Sequence, residues 1–286
     1  MRTPGTACLE RHLNALVGER NPYTSPDALE AAGAYVESQL AALGLSVWRE
    51  PVPFDGRTYF NVFGELPGAE PERGLLIVGA HFDSVEGTPG ADDNASAVAA
   101  LLEIARCLQG VALPLTVRFA GFTLEEYAFV GSEHLCRRLT REGTPIAGMI
   151  SLEMLGFLNR APGSQTYPPY VDATQYPDTG DFIAVVGNEV SQAMTVSLAG
   201  AMQRAVPELG VELLVVPGRG DDFRDVQLSD HAPFWQQGHK AVMITDTAFF
   251  RNPHYHQPTD TLDTLDLEFI RDVTNGVAAY LRSPQL

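Results

Sequence analysis

Basic residues are scarce in this chain: 19 Lys and Arg stand against 36 Asp and Glu, a formal charge of −17. A surface this acidic repels phosphate backbones and anionic headgroups, which argues against nucleic acid or membrane as a partner. Cysteine is scarcer still. Cys8, Cys107 and Cys136 form no CxxC pair and no zinc-finger spacing, and free thiols of this kind fit a reducing, cytoplasmic compartment. No apolar run approaches the ~18–20 residues of a membrane span. The N-terminal segment MRTPGTACLERHLNALVGER carries charges throughout, without the apolar core of a signal peptide. There is no glycine-rich phosphate loop, no Ser or Cys nucleophile motif, no internal repeat, no low-complexity tract and no linker. The expectation is a single globular domain over residues 1–286.

What is present is a repeated juxtaposition of buried-strand patterns and acids. The run GLLIVGA (74–80) reads as a buried strand that delivers His81 and Asp83 to one side. A Gly/Pro turn follows, and Asp92, Asp93 and Asn94 open an Ala-rich helix expected over 95–108. A second strand (115–122) runs into Thr-Leu-Glu125-Glu126, and a third (146–152) ends at Glu153. Further strands are expected at 182–186, 212–216 and 241–245, with helices at 7–16, 26–43, 131–141, 188–206 and 267–281. Asp55-Gly56 between two alternating runs (45–54 and 57–66) signals a hairpin. Strands alternating with helices predict a three-layer α-β-α fold, its mixed central sheet largely parallel, with ligands at the C-terminal strand ends. The Pro-rich stretch 156–180 is too long for a simple connection and reads as a functional loop.

The metal-capable residues at these strand ends and loops are His81, Asp93, Glu125, Glu126, Glu153 and His256. Two imidazoles with several carboxylates suit zinc, cobalt or manganese. They are too many for one catalytic zinc with three protein ligands, and they match two metals sharing a carboxylate. Of the adjacent pair Glu125-Glu126, one can bind metal while its neighbour accepts a proton. Taken alone, two successive glutamates are commonest as exposed loop acids. Their place directly after a buried strand favours the site.

The pieces GAHFDS (79–84), PGADDNASA (89–97), TLEEYAFVGSEHL (123–135), MISLEMLGF (149–157), LSDHAPF (228–234) and RNPHYHQPTDT (251–261) resemble, in order, the co-catalytic di-zinc aminopeptidase family. Its relatives include bacterial leucyl aminopeptidases, glutamate carboxypeptidases and glutaminyl cyclases. The resemblance implies that Asp93 bridges two zinc ions, His81 and Glu153 completing one site and Glu126 and His256 the other. It implies Glu125 as general base, Asp83 orienting His81, and Tyr255 donating to the oxyanion as a hydroxide between the metals attacks a peptide or aminoacyl carbonyl. Two positions depart from the pattern. Glu153 stands where many relatives have Asp, and Ala97 where Gly is usual.

The alternatives within the family are a one-zinc glutaminyl cyclase and a carboxypeptidase or amidohydrolase, whose common inserted lid domain has no room here. A non-catalytic binding module, as in the transferrin receptor, would be expected to have lost ligands, and all five stand in place. Of the other histidines, His12 and His134 read as surface residues and His231 as a structural hydrogen-bond partner, while His254, two before His256, is within reach of the site but reads first as a neighbour outside the ligand set. Asp230 reads as a supporting residue. Tyr167, Tyr170 and Tyr176 are candidates for lining a side-chain pocket, and Arg251 for fixing a substrate terminus. Preferred residue and oligomeric state are not encoded in any motif.

Overall fold

The apolar run forms strand β3 (Leu75–His81), and every residue of it is buried. Alternate side chains enter two different cores, Leu76, Val78 and Ala80 on one face and Leu75 and Ile77 on the other. Burial on both faces is why the segment is apolar without interruption. The other strands are β1 (Ser46–Phe54), β2 (Arg57–Leu66), β4 (Thr116–Phe122), β5 (Ile146–Glu153), β6 (Phe182–Asn188), β7 (Gly210–Val216) and β8 (Ala241–Thr245). The computed structural model, which describes residues 3–286, joins them in one sheet of order β1-β2-β4-β3-β5-β8-β6-β7.

Helices α1 (Thr6–Leu16), α2 (Pro26–Ala42), α3 (Ala97–Leu108), α5 (Gln192–Ala205) and α7 (Leu267–Leu281) share the first core with one face of the sheet. Among the described residues, only α4 (Val130–Glu142) and the short α6 (Ala232–Gln236) share the second. The three-layer α-β-α expectation therefore holds, with one thick and one thin helical layer. Helix α6 was not anticipated, because five residues are too few for a 3.6-residue period to show.

β3, β4, β5 and β8 run parallel to their neighbours among themselves, so their C-terminal ends lie side by side. β6 runs antiparallel to β8, and β7 follows β6. The reversal has a local cause. No helix crosses back between β5 and β6, so the chain re-enters the sheet from the edge at which β5 left it. The hairpin of β1 and β2 turns on Asp55 and Gly56, both with positive φ, the geometry that a two-residue hairpin turn requires.

Two expectations need correction. His12 is buried, not on the surface: its Nδ1 lies 2.8 Å from the Tyr35 hydroxyl and its Nε2 3.6 Å from Glu103. The partners lie on α2 and α3, at separations that a local reading does not reach. The helix expected from residue 95 starts at Ala97, because Ala91–Ser96 form a wider turn in which Asp93 and Asn94 leave helical φ/ψ.

Candidate active site

The three adjacent strand ends deliver His81 from β3, Glu125 and Glu126 just beyond β4, and Glu153 from β5. Gly79 pairs with Ser151, so His81 and Glu153 lie level across the sheet. Asp93 comes from the turn before α3, and His256 from the loop before α7. His81 Nε2 lies 3.4 Å from Asp93 Oδ1 and 3.5 Å from Glu153 Oε2. His256 Nε2 lies 3.1 Å from Asp93 Oδ2 and 3.3 Å from Glu126 Oε2. Each oxygen of Asp93 thus faces a different imidazole.

All six metal-capable residues meet, in overlapping groups His81/Asp93/Glu153, Asp93/Glu126/His256 and His81/Glu125/Glu126. His81 Nε2, His256 Nε2 and Glu126 Oε1 are buried with no hydrogen-bond partner among the described residues. Buried polar atoms left unpaired are rare and costly. Ligand atoms about 2.0–2.1 Å from a tetrahedral ion stand about 3.3 Å from one another, the spacing seen here. The donor set fits a divalent cation.

The supports are as specific as the donors. Asp83 accepts the backbone N–H of Glu125 with Oδ1 and of Glu126 with Oδ2, both at 3.1 Å, and its Oδ1 lies 3.6 Å from His81 Nδ1. Asn94 donates to Leu152 O at 3.0 Å and accepts from Met154 N at 3.0 Å, gripping both neighbours of Glu153. Ser229 donates to Glu153 Oε2 at 2.7 Å. Leu124, Met154 and His256 have positive φ, so the backbone is strained just before Glu125, just after Glu153 and at a metal-capable histidine.

Two supports went unread in the sequence. Asp260 accepts the backbone N–H groups of Asp92 (2.8 Å) and Asp93 (3.1 Å), fixing the turn that presents Asp93. Its only signal was its place in the segment 251–261. Buried Arg20 donates to the carbonyls of Phe82, Pro89 and Gly90, bracketing the His81–Asp93 segment with a cation. Nothing in its local sequence marks it.

The electrostatics are those of crowded, buried acids. Burial raises the pKa of Glu125 well above the usual range, against the pull of His81 and with Glu153 and Glu126 adding to the rise. Burial, then Asp93, lifts Glu126 to about 7. Burial opposes the imidazolium of His256, yet bonds to Asp93 and Glu126 carry its pKa to about 10. Burial likewise opposes protonation of His81, but Glu125 and Glu153 outweigh it. Asp93 moves the other way: burial is overcome by His256 and His81, and its pKa falls below the ordinary value. The cluster shares protons that cations would displace on binding.

Tyr255 stacks on His256 with ring centroids 3.7 Å apart and lines a cavity of about 100 Å³ that opens from the acids. Burial and then the nearby carboxylates, Asp93 first, raise its pKa, so the phenol remains a donor. Of the candidate loop tyrosines, Tyr167 and Tyr176 line this cavity, whereas Tyr170 packs edge-on to Phe223. His254 bonds Thr259 at 2.9 Å, outside the cluster. His231 is buried and donates to Val226 O at 2.8 Å, and burial lowers its pKa to about 4. Asp230 is buried behind the site, and burial lifts its pKa to about 7.

Arg251 is a correction. It is 5% exposed, donates to Gln165 Oε1 and Phe182 O at 2.8 Å each, and lies over the Phe182 ring at 4.5 Å. It ties the long loop to β6 and is absent from the cavity lining.

Residues 61–281 match the description "Peptidase family M28". The chain is 38% identical over 267 residues to the uncharacterized protein YfbL of Escherichia coli (strain K12), a match covering 89% of this chain and 80% of that one. It is 26% identical over 291 residues to a probable leucine aminopeptidase of Arthroderma otae, covering 96% and 70%. The structure of the LapA aminopeptidase of Legionella pneumophila superposes with a TM-score of 0.75 at 18% identity, covering 99% of this chain and 73% of that one, a likeness of fold. Six matched segments in family order, the converged donor set and this match over most of the chain agree: the protein is a hydrolase and belongs to peptidase family M28.

Proposed function

We propose that the protein is a metal-dependent aminopeptidase that releases N-terminal residues from peptides. The observation that carries this reading is the position of Asp93, whose two oxygens face two imidazoles, each with a further carboxylate. His81, Asp93 and Glu153 would hold one zinc ion, and Asp93, Glu126 and His256 a second, with cobalt or manganese as substitutes. When bound, the metals supply a Lewis acid for the scissile carbonyl and lower the pKa of a water to about 7.

Glu125 is the remaining carboxylate, 7% exposed, in reach of the cluster and free of the two triads built on Asp93. Its raised pKa suits a general base that takes a proton from the attacking water and returns it to the leaving amine. The Tyr255 phenol donates to the developing oxyanion. Asp83 positions both glutamates and faces the far nitrogen of His81, the arrangement by which a carboxylate fixes a ligand's orientation. The longer Glu153 is accommodated through its bond from Ser229. Three free thiols, two of them buried, support a reducing, cytoplasmic setting.

The test pairs metal content by plasma emission with hydrolysis of aminoacyl p-nitroanilides and of N-terminally blocked analogues. About two zinc ions per chain and cleavage of free but not blocked substrates are expected. One ion per chain with cyclisation of N-terminal glutamine, and no anilide cleavage, would move the assignment to a glutaminyl cyclase.

A further inference from the structure

Strand register places an acid at the far end of the cavity. Glu153 pairs with Thr245, Thr245 with Ala184, and Ala184 with Glu212, one residue each from β5, β8, β6 and β7. Residues in one such row point to the same face of the sheet. All four line the cavity. With strands about 4.8 Å apart, the row spans about 14 Å from the metal-site carboxylate to Glu212. Between them the floor is short and uncharged, Thr245 and Ala184, with Met243, Val186 and Leu214 forming the next row.

Glu212 is half-buried and has no ion pair or hydrogen bond among the described residues. Burial alone acts on it, raising its pKa, with no cation to counter the cost. Tyr167 and Tyr176 lie close enough for Glu212 to raise both phenols, after burial. Their hydroxyls are committed to Pro177 O and Leu213 O, at 2.6 and 2.9 Å, so ring surface is what remains. Asp225 adds a second carboxylate to the lining. An apolar trough ending in unpaired acid and aromatic rings matches a long aliphatic stem with a cationic head. The acidic surface draws cationic substrates toward it.

Resting on the aminopeptidase reading, we infer that the cavity is a specificity pocket for N-terminal lysine and arginine, with Glu212 as the residue that selects the cationic head.

The experiment compares kcat/KM for lysyl, arginyl and norleucyl p-nitroanilides in the zinc-loaded wild type, Glu212→Gln and Glu212→Asp. Norleucine keeps the lysine stem and lacks its charge. Lysine and arginine are expected to exceed norleucine at least about tenfold in the wild type. Glu212→Gln should bring the lysine-to-norleucine ratio to within about threefold of unity, and Glu212→Asp should keep part of the preference. Wild-type cleavage of norleucine at or above the rate for lysine, or an unchanged ratio in Glu212→Gln, overturns the inference and leaves the aminopeptidase reading standing. No cleavage of any of the three overturns both.

Discussion

Asp83 Oδ1 accepts the backbone N–H of Glu125 at 3.1 Å, so the end of β3 fixes the loop after β4. The other oxygen holds Glu126 in the same way, and Oδ1 also faces His81 Nδ1 at 3.6 Å. One carboxylate therefore sets the geometry of Glu125, the proposed base, and of two metal-capable residues, Glu126 and His81. Asp83→Ala frees all three, and metal affinity is expected to fall about 10–100-fold. Competition titration against a chelator measures this, with Asp83→Asn intermediate because it keeps an acceptor. An affinity within twofold of wild type would leave Asp83 without the positioning role.

Tyr255→Phe deletes a hydroxyl and preserves the ring stacked on His256. Loss of one oxyanion donor lowers kcat by about 10²–10³. KM and metal content should stay near wild type. A change confined to KM would place the phenol in substrate binding instead.

The convergence of the metal-capable residues and the strands that carry them was legible in the sequence, because each stands at the end of an apolar run or in a loop with marked composition. The burial of His12 was not, since it depends on Tyr35 and Glu103, which only the fold brings near. Arg251 misled for a related reason. A lone arginine close to a histidine motif looks like an anion clamp, and only tertiary contacts show it bonded to Gln165 and Phe182 O. Glu212 was invisible, because its place in the row with Glu153 requires the register of four strands.

Arg251→Met tests that reassignment. Each carbonyl left unpaired costs about 1–3 kcal/mol, so the thermal midpoint should fall. The ratio of kcat/KM between peptides with free and amidated C-termini should not change. A selective loss for free C-termini would restore the anion-clamp role.

His231 gives a pH signature in stability. Its folded pKa, about 4 through burial, lies below the ordinary 6.5. As pH falls from 6.5 the unfolded chain binds a proton that the folded chain refuses, so this contribution is present above 6.5 and lost on the way down to about 4. The loss amounts to about 3 kcal/mol. Denaturant unfolding at intervals across that window, compared with His231→Gln, should show a shallower pH slope in the variant. Equal slopes would mean that His231 protonates as readily in the folded chain as in the unfolded one.

On the proposed mechanism Glu125 moves protons without holding metal, and zinc content measured beside kcat for Glu125→Gln separates the two roles. Zinc at the wild-type level with kcat reduced about 10²–10⁴-fold is the predicted result. Activity near wild type, or a loss of activity matched by loss of zinc, would contradict it and assign Glu125 to the ligand set.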